Sequence, residues 1–539
     1  MASLVSKDYF ASLPIEVKEI ILNDLTVTDL CHVALCNRSW REAANQDALW
    51  RPLCQDNGWE RYGEEDRLLK EVPFKSTSQE QVTGEGGSPT FPVDAVVTGS
   101  GWPQLETTCK WKEVYMKAKH LETNWCKNRF YAVSFQFCLT GKVPTKSTAD
   151  SGSDDADEQS ASSVAEEVDH SENDPSGLDE DDDVYGDKDG PYVCNMAGEG
   201  IYLAAGTSQG TLQIWDIFQR ERKHLIEVDI SEKRDALKMK DGIIAAGCKD
   251  GKVRTYSAKS GEQLQVMSGH PLAVSHIFFD GVTIVSVIKP RSPNSDIVVW
   301  NASDGACRCI LKAGRTLTLL DLAYKDKVIA GVYFDRKIRV WDAESGSMLH
   351  EMDSGMRTVV SIYLGDGIVI VVSQDFIVKI WSLESGKCVR TFDVPIDPAF
   401  VNKHAKATYC TFNGELLAVV STFWTTTVLD LDGKRIGTFL SDFRDSMEPL
   451  FFHGKKLVIW CETQVVPCTE LWIADPKMHG NGNANSSFEI DESTDYLAEA
   501  SGNFTVTWMS DTKLAFERHG EYEANDGPLI PEIIVRHYW

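Results

Sequence analysis

The stretch "RVWDAESGSMLHEM" (residues 339–352) is followed 40 residues later by a near copy, "KIWSLESGKCVRTF" (residues 379–392). Each copy predicts a strand, a Glu-Ser-Gly turn and a second strand, with a Trp three residues before the Glu of the turn. Gly346 and Gly386 supply the positive φ that a tight hairpin turn requires. The repeated unit therefore predicts antiparallel hairpins arranged in series.

The same unit recurs over most of the chain after residue 190. A large apolar residue marks the same place in each repeat, at intervals of 40 to 48 residues: Trp215, Tyr256, Trp300, Trp341, Trp381, Leu429 and Trp472. Apolar runs such as "GIVIVVSQD" precede these positions, and alternating strands follow them. Four short strands per repeat of this length predict the blades of a β-propeller, with the marked residues packed in its core.

The last part of the chain predicts one further blade that lacks a strand. The stretches "FTVTWMSDTKLAFERHG" and "PEIIVRHYW" predict three strands, with Tyr538 or Trp539 at the marked position. An open ring would leave an unpaired strand edge, which propellers avoid. The alternating stretch "RFYAVSFQF" at residues 129–137 is the expected fourth strand. Eight blades closed by this strand are favoured, and seven blades are the alternative.

These repeats resemble WD repeats. "IWD" at 214–216 and "VWD" at 340–342 match the signature dipeptide, and "SGH" at 268–270 matches the Gly-His that opens a repeat. The resemblance implies a mainly β fold, a WD-repeat β-propeller. It also implies hydrogen bonds across the blades from aspartates in the turn before the marked strand, namely Asp250, Asp335 and Asp375.

The stretch "LPIEVKEIILNDLTVTDLCHVALCNRSWREAANQDALW" (residues 13–50) predicts a small all-α module. Val17, Ile20 and Ile21 fall on one face of a first helix at helical spacing, and Thr28 can cap a second helix. So few residues bury little surface by themselves. The module is therefore expected to need a partner or a neighbouring domain, while keeping a core separate from that of the propeller.

This module resembles an F-box at the pairs Leu13-Pro14, Asp29-Leu30, Trp40-Arg41 and Leu49-Trp50. An inserted Asn37 before Arg38 is a small departure from the usual order. The resemblance implies docking onto a Skp-type adapter, which links F-boxes to a cullin ubiquitin ligase. The expected adapter-binding residues are Leu13, Pro14, Ile15, Val17, Ile20, Leu25, Leu30, Val33, Trp40, Leu49 and Trp50. A generic three-helix or helix-turn-helix module is the alternative, which no basic recognition helix supports.

A predicted helix joins the two modules. "WKEVYMKAKHLETNW" (residues 111–125) has helical spacing and ends in Asn124-Trp125, and it resembles the linker of F-box/WD-repeat proteins. The expected organisation is an F-box at 8–56, a linker with a flexible insertion at 57–110, a linker helix at 111–127, a closing strand at 128–139, an acidic disordered loop at 140–190 and the propeller at 191–539.

The acidic loop carries most of the charge of the chain. Residues 150–189 hold seventeen Asp or Glu against one Lys, so this segment accounts for sixteen of the net charge of -27. With so few large apolar residues the segment is expected to be disordered. Ser171 and Ser176 each precede an acidic residue by three positions, which suits an acid-directed kinase; a solubilising insertion is the alternative.

The rest of the sequence excludes several classes of protein. Outside the acidic loop no cluster of Lys and Arg suits nucleic acid, and no apolar run approaches the length of a membrane span. Fourteen Cys without a CxxC pair are typical of a reducing compartment, so a cytoplasmic or nuclear protein is expected. The absence of metal-spaced Cys and His, of a P-loop and of HExxH predicts no metal or cofactor.

One string is typical of hydrolases. "GTSQG" at residues 206–210 matches the G-x-S-x-G nucleophile elbow, which needs a helix after the Ser. The sequence "TLQIWDI" that follows predicts a strand instead, so Ser208 is not expected to be a nucleophile. No catalytic residue is expected. The leading hypothesis is a substrate receptor, in which the F-box binds the ligase and the propeller binds the target protein. A WD-repeat scaffold that acts outside any ligase is the alternative. A propeller hydrolase is disfavoured because the equivalent loops of the repeats lack converging acidic and His residues.

Three arginines are candidates for binding the target protein. The loops that enter successive blades contain Arg315, Arg357 and Arg444. Arg357 and Arg444 occupy equivalent positions in their loops, and Arg315 lies one residue away from the equivalent position. Such loops lie on one face of a propeller at the rim of its channel, where converging guanidiniums suit a phosphorylated or acidic segment. The alternative is that they are ordinary solvated or locally paired residues. The acidic segment at 150–189 is an internal candidate for the same surface.

Overall fold

The structure, a computed structural model, describes residues 13–36, 38–64, 109–126, 131–136, 192–288, 296–312, 317–396, 405–422, 425–440, 447–453, 456–463, 468–474, 488–489, 501–502, 507–518 and 532–538. Among the described residues, the α-helices lie before residue 127 and the strands lie after residue 130, paired antiparallel except for one short parallel pair, as the mainly β fold class predicts. No helix within the described ranges is long and apolar enough to cross a membrane.

The helices are α1 (Ile15–Leu22), α2 (Val27–Cys36), α3 (Arg38–Ala44), α4 (Asp47–Asp56), α5 (Glu60–Glu64) and α6 (Lys110–Cys126). Thr26 caps α2, because its hydroxyl accepts a hydrogen bond from the Asp29 backbone N–H at 3.2 Å and donates one to the Asp29 carboxylate at 2.7 Å. The prediction of Thr28 as the cap is wrong, since α2 already begins at Val27.

The strands are β1 (Tyr131–Gln136), β2 (Val193–Glu199), β3 (Tyr202–Thr207), β4 (Thr211–Asp216), β5 (Glu221–Glu227), β6 (Leu237–Lys240), β7 (Ile243–Gly247), β8 (Lys252–Ser257), β9 (Gln263–Ser268), β10 (Val274–Phe279), β11 (Thr283–Ile288), β12 (Ile297–Asn301), β13 (Cys307–Leu311), β14 (Leu319–Lys325), β15 (Val328–Tyr333), β16 (Lys337–Asp342), β17 (Met348–Asp353), β18 (Val359–Gly365), β19 (Ile368–Ser373), β20 (Ile377–Ser382), β21 (Cys388–Asp393), β22 (Ala407–Phe412), β23 (Leu416–Ser421), β24 (Thr425–Asp430), β25 (Arg435–Leu440), β26 (Met447–His453), β27 (Lys456–Thr463), β28 (Cys468–Ala474), β29 (Phe488–Glu489), β30 (Ser501–Gly502), β31 (Thr507–Met509), β32 (Lys513–Arg518) and β33 (Glu532–His537).

These strands form eight sheets, the larger of the two blade numbers considered from the sequence. Six sheets consist of four consecutive strands each, from β2–β5 to β22–β25, and β29 adds to the outer edge of β25. The seventh sheet is β26, β27, β28 and β30. The first strands of neighbouring sheets contact one another, including β2 with β6, β14 with β18 and β22 with β26, so the sheets are arranged around a common centre.

The eighth sheet closes the ring. Its order is β31, β32, β33 and β1, so the outermost strand comes from a part of the chain about 400 residues away from β33. β1 pairs antiparallel with β33, from Tyr131 opposite His537 to Gln136 opposite Glu532. At the inner side β31 contacts β2 of the first sheet. We call this four-stranded unit the closing sheet.

Six marked residues occupy the same place in the third strand of their sheets and are buried, at 3% exposure or less: Trp215, Tyr256, Trp300, Trp341, Trp381 and Leu429. Trp472 also lies in a third strand, but it stands two residues before the equivalent place, which Ala474 occupies opposite Leu457. In the closing sheet the marked position is Arg536, not Tyr538 or Trp539. Arg536 pairs with Leu514 as Trp215 pairs with Leu203, and its guanidinium lies 5.3 Å from the ring centre of Phe516. The prediction failed because it expected an aromatic residue at this place.

In one sheet the His of the Gly-His motif takes part in a buried group of hydrogen bonds. Trp300 Nε1 donates to Ser286 Oγ at 2.8 Å, and His270 Nε2 lies 2.8 Å from the same hydroxyl. Burial lowers the pKa of His270 to about 4, so the ring is neutral at pH 7. Two of the three turn aspartates differ from the expectation, because Asp250 and Asp335 bind Arg254 and Arg339 of their own hairpin rather than a partner across the blade.

A hydrogen bond joins the outer strand of one sheet to the turn before the fourth strand of the next sheet, and it recurs at five consecutive junctions. Four types of side chain take part, and the acceptor is always a backbone carbonyl: His224 to Lys259, Gln265 to Ser303, Cys309 to Ala343, His350 to Leu383 and Arg390 to Leu431. Bonds near the centre join first strands in a comparable way. Asp321 accepts the Ile362 backbone N–H at 2.9 Å, and desolvation raises the pKa of this carboxyl to about 6.

Candidate functional site

Several predicted adapter-binding residues hold the N-terminal helices together. Leu30, Leu49 and Trp50 are buried, at 4% exposure or less, and Trp50 Nε1 donates to the Ala44 carbonyl at 2.7 Å. Leu25, Val33 and Trp40 are partly buried and pack against the same cluster. These residues of the F-box pattern therefore pack against one another inside the module.

Other predicted residues are exposed. Pro14 is exposed, and Val17 and Ile20 are 39% and 72% exposed. Ile21 lies on the same face of α1, at 47% exposure, because residues at i, i+3 and i+4 share one side of a helix. Leu35 on α2, 75% exposed, was missed because it stands at the end of the predicted apolar pattern. Two further predicted residues follow: Leu13 is partly exposed, and the side chain of Ile15 lies outside the described part.

The first half of α6 is bound to the N-terminal helices. The Trp111 backbone N–H donates to the Asp47 carboxylate at 3.0 Å, and Lys112 Nζ donates to Asn45 Oδ1 at 2.6 Å. The Trp111 ring lies so close to Gly63 that a Cβ there would come within 2.5 Å of it. Only glycine permits this approach, so α5 and α6 are held in tight contact.

The second half of α6 is bound to the closing sheet through the Asn-Trp pair singled out in the sequence. Asn124 Nδ2 donates to the Tyr538 carbonyl at 2.8 Å, and Trp125 Nε1 donates to the Asp511 carbonyl at 2.9 Å. The rings of Trp125 and Tyr538 stack with 3.5 Å between centroids and 14° between planes. Trp125 is fully buried and Tyr538 is 1% exposed, so this contact excludes water.

A second contact joins the N-terminal helices directly to the closing sheet. Arg61 Nη2 and Tyr62 Oη lie 3.1 and 3.0 Å from the Asp511 carboxylate. Tyr62 is buried, and burial together with the nearby Asp511 charge raises the pKa of its hydroxyl well above the usual value. Tyr62 therefore stays protonated and donates this hydrogen bond throughout the ordinary pH range.

These contacts join the two modules through one shared hydrophobic cluster. A single buried cluster contains residues of the N-terminal helices, residues of α6 and four residues of the closing sheet: Met509, Leu514, Phe516 and Tyr538. The expectation that the modules have separate cores is wrong, because it took no account of the apolar face of α6. The N-terminal helices are thus positioned relative to the propeller by buried side chains rather than by a flexible linker.

The contacts of α6 also distinguish the two faces of the propeller. Asp511 lies in the turn after the first strand of the closing sheet, and Tyr538 follows its third strand. In an antiparallel sheet these two ends share one face, while the turns after second strands and the connections between sheets share the opposite face. We call the latter the distal face. Arg357 lies in the connection from β17 to β18, and hence on the distal face, where it is exposed.

The other two candidate arginines, Arg315 and Arg444, lie outside the described residues. The strand register nevertheless corrects one alignment. Leu319 pairs with the last residue of β15 as Val359 pairs with the last residue of β19, so Leu317 corresponds to Arg357 and Arg315 lies two residues earlier, not one. Of the three predicted arginines, Arg357 is therefore the one that the described part of the structure places on the distal face.

Ser208 lies in a hairpin turn between β3 and β4, with no helix after it, and its hydroxyl accepts the Tyr192 backbone N–H at 3.2 Å. This is a structural hydrogen bond and not the geometry of a nucleophile elbow. Within the described part of the chain, no group of three His, Cys, Asp or Glu side chains is placed to hold a metal ion.

Comparison with known proteins agrees with these two modules. The model of the F-box-like family matches residues 10–56. The probable E3 ubiquitin ligase complex SCF subunit sconB of Arthroderma otae is 29% identical over 136 residues, 25% of this chain and 19% of that protein. F-box/WD repeat-containing protein pof1 of Schizosaccharomyces pombe is 34% identical over 55 residues, 10% of this chain and 9% of that protein.

Among solved structures, the computationally designed Ika8 protein is similar, with a TM-score of 0.47 and 17% identity, over 63% of this chain and 95% of that chain. The chain matches about a fifth or less of the length of the two curated relatives.

Proposed function

We propose that this chain, an F-box/WD-repeat protein, is the substrate-recognition subunit of an SCF-type ubiquitin ligase. Its N-terminal helices bind a Skp-type adapter, which links it to a cullin, and its propeller binds the target protein. The chain itself makes and breaks no covalent bond; it raises the effective concentration of the target at the ligase. The observation that carries the proposal is the shared core of the N-terminal helices, α6 and the closing sheet, which fixes two exposed surfaces relative to each other.

The first surface supports the adapter-binding role. Val17, Ile20 and Ile21 expose 39%, 72% and 47% of their surface on one side of α1. Neighbouring apolar side chains on an exposed helix face favour burial against a partner. The buried residues Leu30, Leu49 and Trp50 support this role indirectly, because they hold α1 in place.

The second surface is the distal face, on the other side of the propeller from α6. Arg357 supports a role of this face in binding a phosphorylated or acidic segment of the target, since a guanidinium pairs bidentately with such oxyanions. Arg315 and Arg444 remain predicted members of the same surface. This placement keeps target and adapter on different faces, so that both can bind at once.

Substitution on α1 tests the adapter surface. Ile20→Asp places a charge on the exposed face and should weaken adapter pull-down more than tenfold, because interface centres tolerate charge poorly. Val282→Asp is the matched control, since Val282 is 60% exposed and lies in the propeller. Leu13→Ala combined with Pro14→Ala should act in the same direction. Full adapter binding by a folded Ile20→Asp protein would refute the F-box assignment of this surface.

Co-purification with a cullin distinguishes the receptor from a WD-repeat scaffold that acts outside any ligase. The intact chain should bring down both adapter and cullin, and the Ile20→Asp variant should bring down neither. Adapter without cullin would favour the scaffold. Target binding is tested with Arg357→Ala: target capture should fall and should become insensitive to phosphatase, while adapter binding stays unchanged.

A further inference from the structure

One boundary of the ring of sheets differs from the others in how the chain crosses it. The first six sheets follow one another through short connections, such as that from Ser268 to Val274. The closing sheet borrows β1, which ends at Gln136, and the first sheet begins only at Val193. We call the boundary between the closing sheet and the first sheet the seam. So distant a connection adds little to hold these two sheets together, so their own contacts decide whether the seam stays closed.

The seam is held by a buried hydrogen bond and by apolar packing. The Glu517 carboxylate on β32 accepts the Val193 backbone N–H at 2.9 Å, and the two residues are 0% and 1% exposed. The ring centres of Phe135 on β1 and Trp215 in the first sheet lie 6.4 Å apart. One buried cluster contains residues from both sides of the seam. These contacts are lost together if the closing sheet moves away from the first sheet.

The strand β32 connects the seam to the helices. Leu514 and Phe516 belong to the cluster that contains the N-terminal helices and α6, whereas Ala515 between them belongs to the cluster that spans the seam. This division follows from the strand itself, since successive side chains point to opposite faces. At one end of β32 the turn at Asp511 is bound by α5 and α6, and at the other end Glu517 reaches the first sheet.

The dependence also runs in the other direction. The N-terminal helices share their buried cluster with Met509, Leu514, Phe516 and Tyr538 of the closing sheet. Separation of the closing sheet therefore removes part of the core that holds α1, and with it the ordered surface proposed to bind the adapter. An adapter that binds only the ordered helices shifts the equilibrium toward the closed ring.

We propose that the seam opens locally in the free chain and that adapter binding to the N-terminal helices holds it closed. The inference rests on the proposed function and adds to it a control of the propeller by assembly of the ligase. Since β2 begins at the distal face, closure of the seam also fixes the part of that face around Val193.

Two buried thiols of the chain are probes for this opening. Cys194 lies in β2 next to Val193 and is 6% exposed, and Cys410 lies in β22 of the sixth sheet and is 1% exposed. Burial raises the pKa of both thiols to about 12, so neither reacts with iodoacetamide until its surroundings open. The full chain is labelled under native conditions, and the rate at each Cys is measured by mass spectrometry of its peptides. In the free chain Cys194 should react at least about tenfold faster than Cys410.

The purified adapter and two variants assign the opening to the helices. Adapter at about 100 times its Kd should slow the labelling of Cys194 by about tenfold to 100-fold. Trp125→Phe removes the hydrogen bond to the Asp511 carbonyl and should speed the labelling of Cys194 about tenfold. Trp341→Phe is the matched control, because Trp341 is also buried, at 2% exposure, but lies in the fourth sheet. It should leave the rate at Cys194 unchanged.

Equal labelling rates of Cys194 and Cys410 in the free chain would overturn this inference. So would a Cys194 rate that stays the same although the adapter binds, and both results leave the ligase assignment untouched. A chain that binds no adapter would contradict the proposed function instead. Faster labelling of Cys194 in the free chain, and still faster labelling in the Trp125→Phe protein, would then continue to support the local opening of the seam.

Discussion

Trp125→Ala removes the largest side chain at the junction of α6 and the closing sheet. Trp125 is fully buried, stacks on Tyr538 and donates a hydrogen bond to the Asp511 carbonyl at 2.9 Å. Truncation of a buried Trp typically costs about 3–5 kcal/mol, and a buried carbonyl left without its donor costs about 1 kcal/mol more. We expect the free energy of unfolding to fall by about 4–6 kcal/mol.

Because the core is shared, this loss should affect both modules together. Urea unfolding is followed by far-UV circular dichroism, with protease cleavage mapped separately to the N-terminal helices and to the propeller. Both signals should shift to lower urea in the variant. The control Phe218→Ala, at an exposed aromatic residue of the propeller, should change the free energy by no more than about 0.5 kcal/mol.

A double-mutant cycle isolates the ring contact. Tyr538→Ala alone should be nearly as destabilising as Trp125→Ala, and the double variant should be about 1 kcal/mol more stable than additivity predicts, the size of a stacked aromatic pair. A propeller that unfolds at the same urea concentration in the Trp125→Ala variant as in the intact chain would refute the shared core. So would strict additivity in the cycle.

Three further predictions concern the propeller. Phe135→Ala in the closing strand should make the propeller more sensitive to protease, because Phe135 is 6% exposed and packs against residues of the first and last sheets. Protease resistance equal to that of the intact chain would argue against closure of the ring by β1. Gly386→Ala should cost more stability in urea unfolding than Gly367→Ala, since both glycines have positive φ but only at Gly386 would the added Cβ meet the His350 ring, at 2.7 Å. His270→Gln should make the stability of the protein less sensitive to acid. The pKa of His270 is lowered to about 4, so the folded state binds fewer protons than the unfolded state between pH 6.5 and pH 4. The free energy of unfolding of the intact chain therefore decreases as the pH is lowered through this window. The intact chain should lose about 2 kcal/mol more than the variant between pH 7 and pH 5, measured by urea unfolding at both values.

The repeat could be recognised from the sequence because its physical signals are local. The Trp spacing, the Glu-Ser-Gly turns and the alternation of apolar residues each depend on a few neighbouring residues. The same holds for α1 and α2, whose helical spacing was visible although the cap was assigned to Thr28 instead of Thr26. Arg536 was missed because nothing local distinguishes a buried Arg stacked on Phe516 from an exposed one.

The candidate site was less accessible from the sequence. The F-box pattern identifies positions of a given residue type, and it cannot separate residues that fill the core, such as Trp50, from those that face outward, such as Ile20. Exposure and pairing depend on elements distant in the chain.

The sequence by itself determined the number and kind of modules, because periodicity, turn glycines and capping residues act over a few residues. Only the tertiary structure decided that the modules share one hydrophobic cluster and that α6 lies on one face of the propeller, opposite the face that carries Arg357. These properties depend on which side chains meet across hundreds of residues, such as Trp125 and Tyr538. Burial, stacking and ion pairing depend on these long-range contacts, which no local sequence pattern predicts.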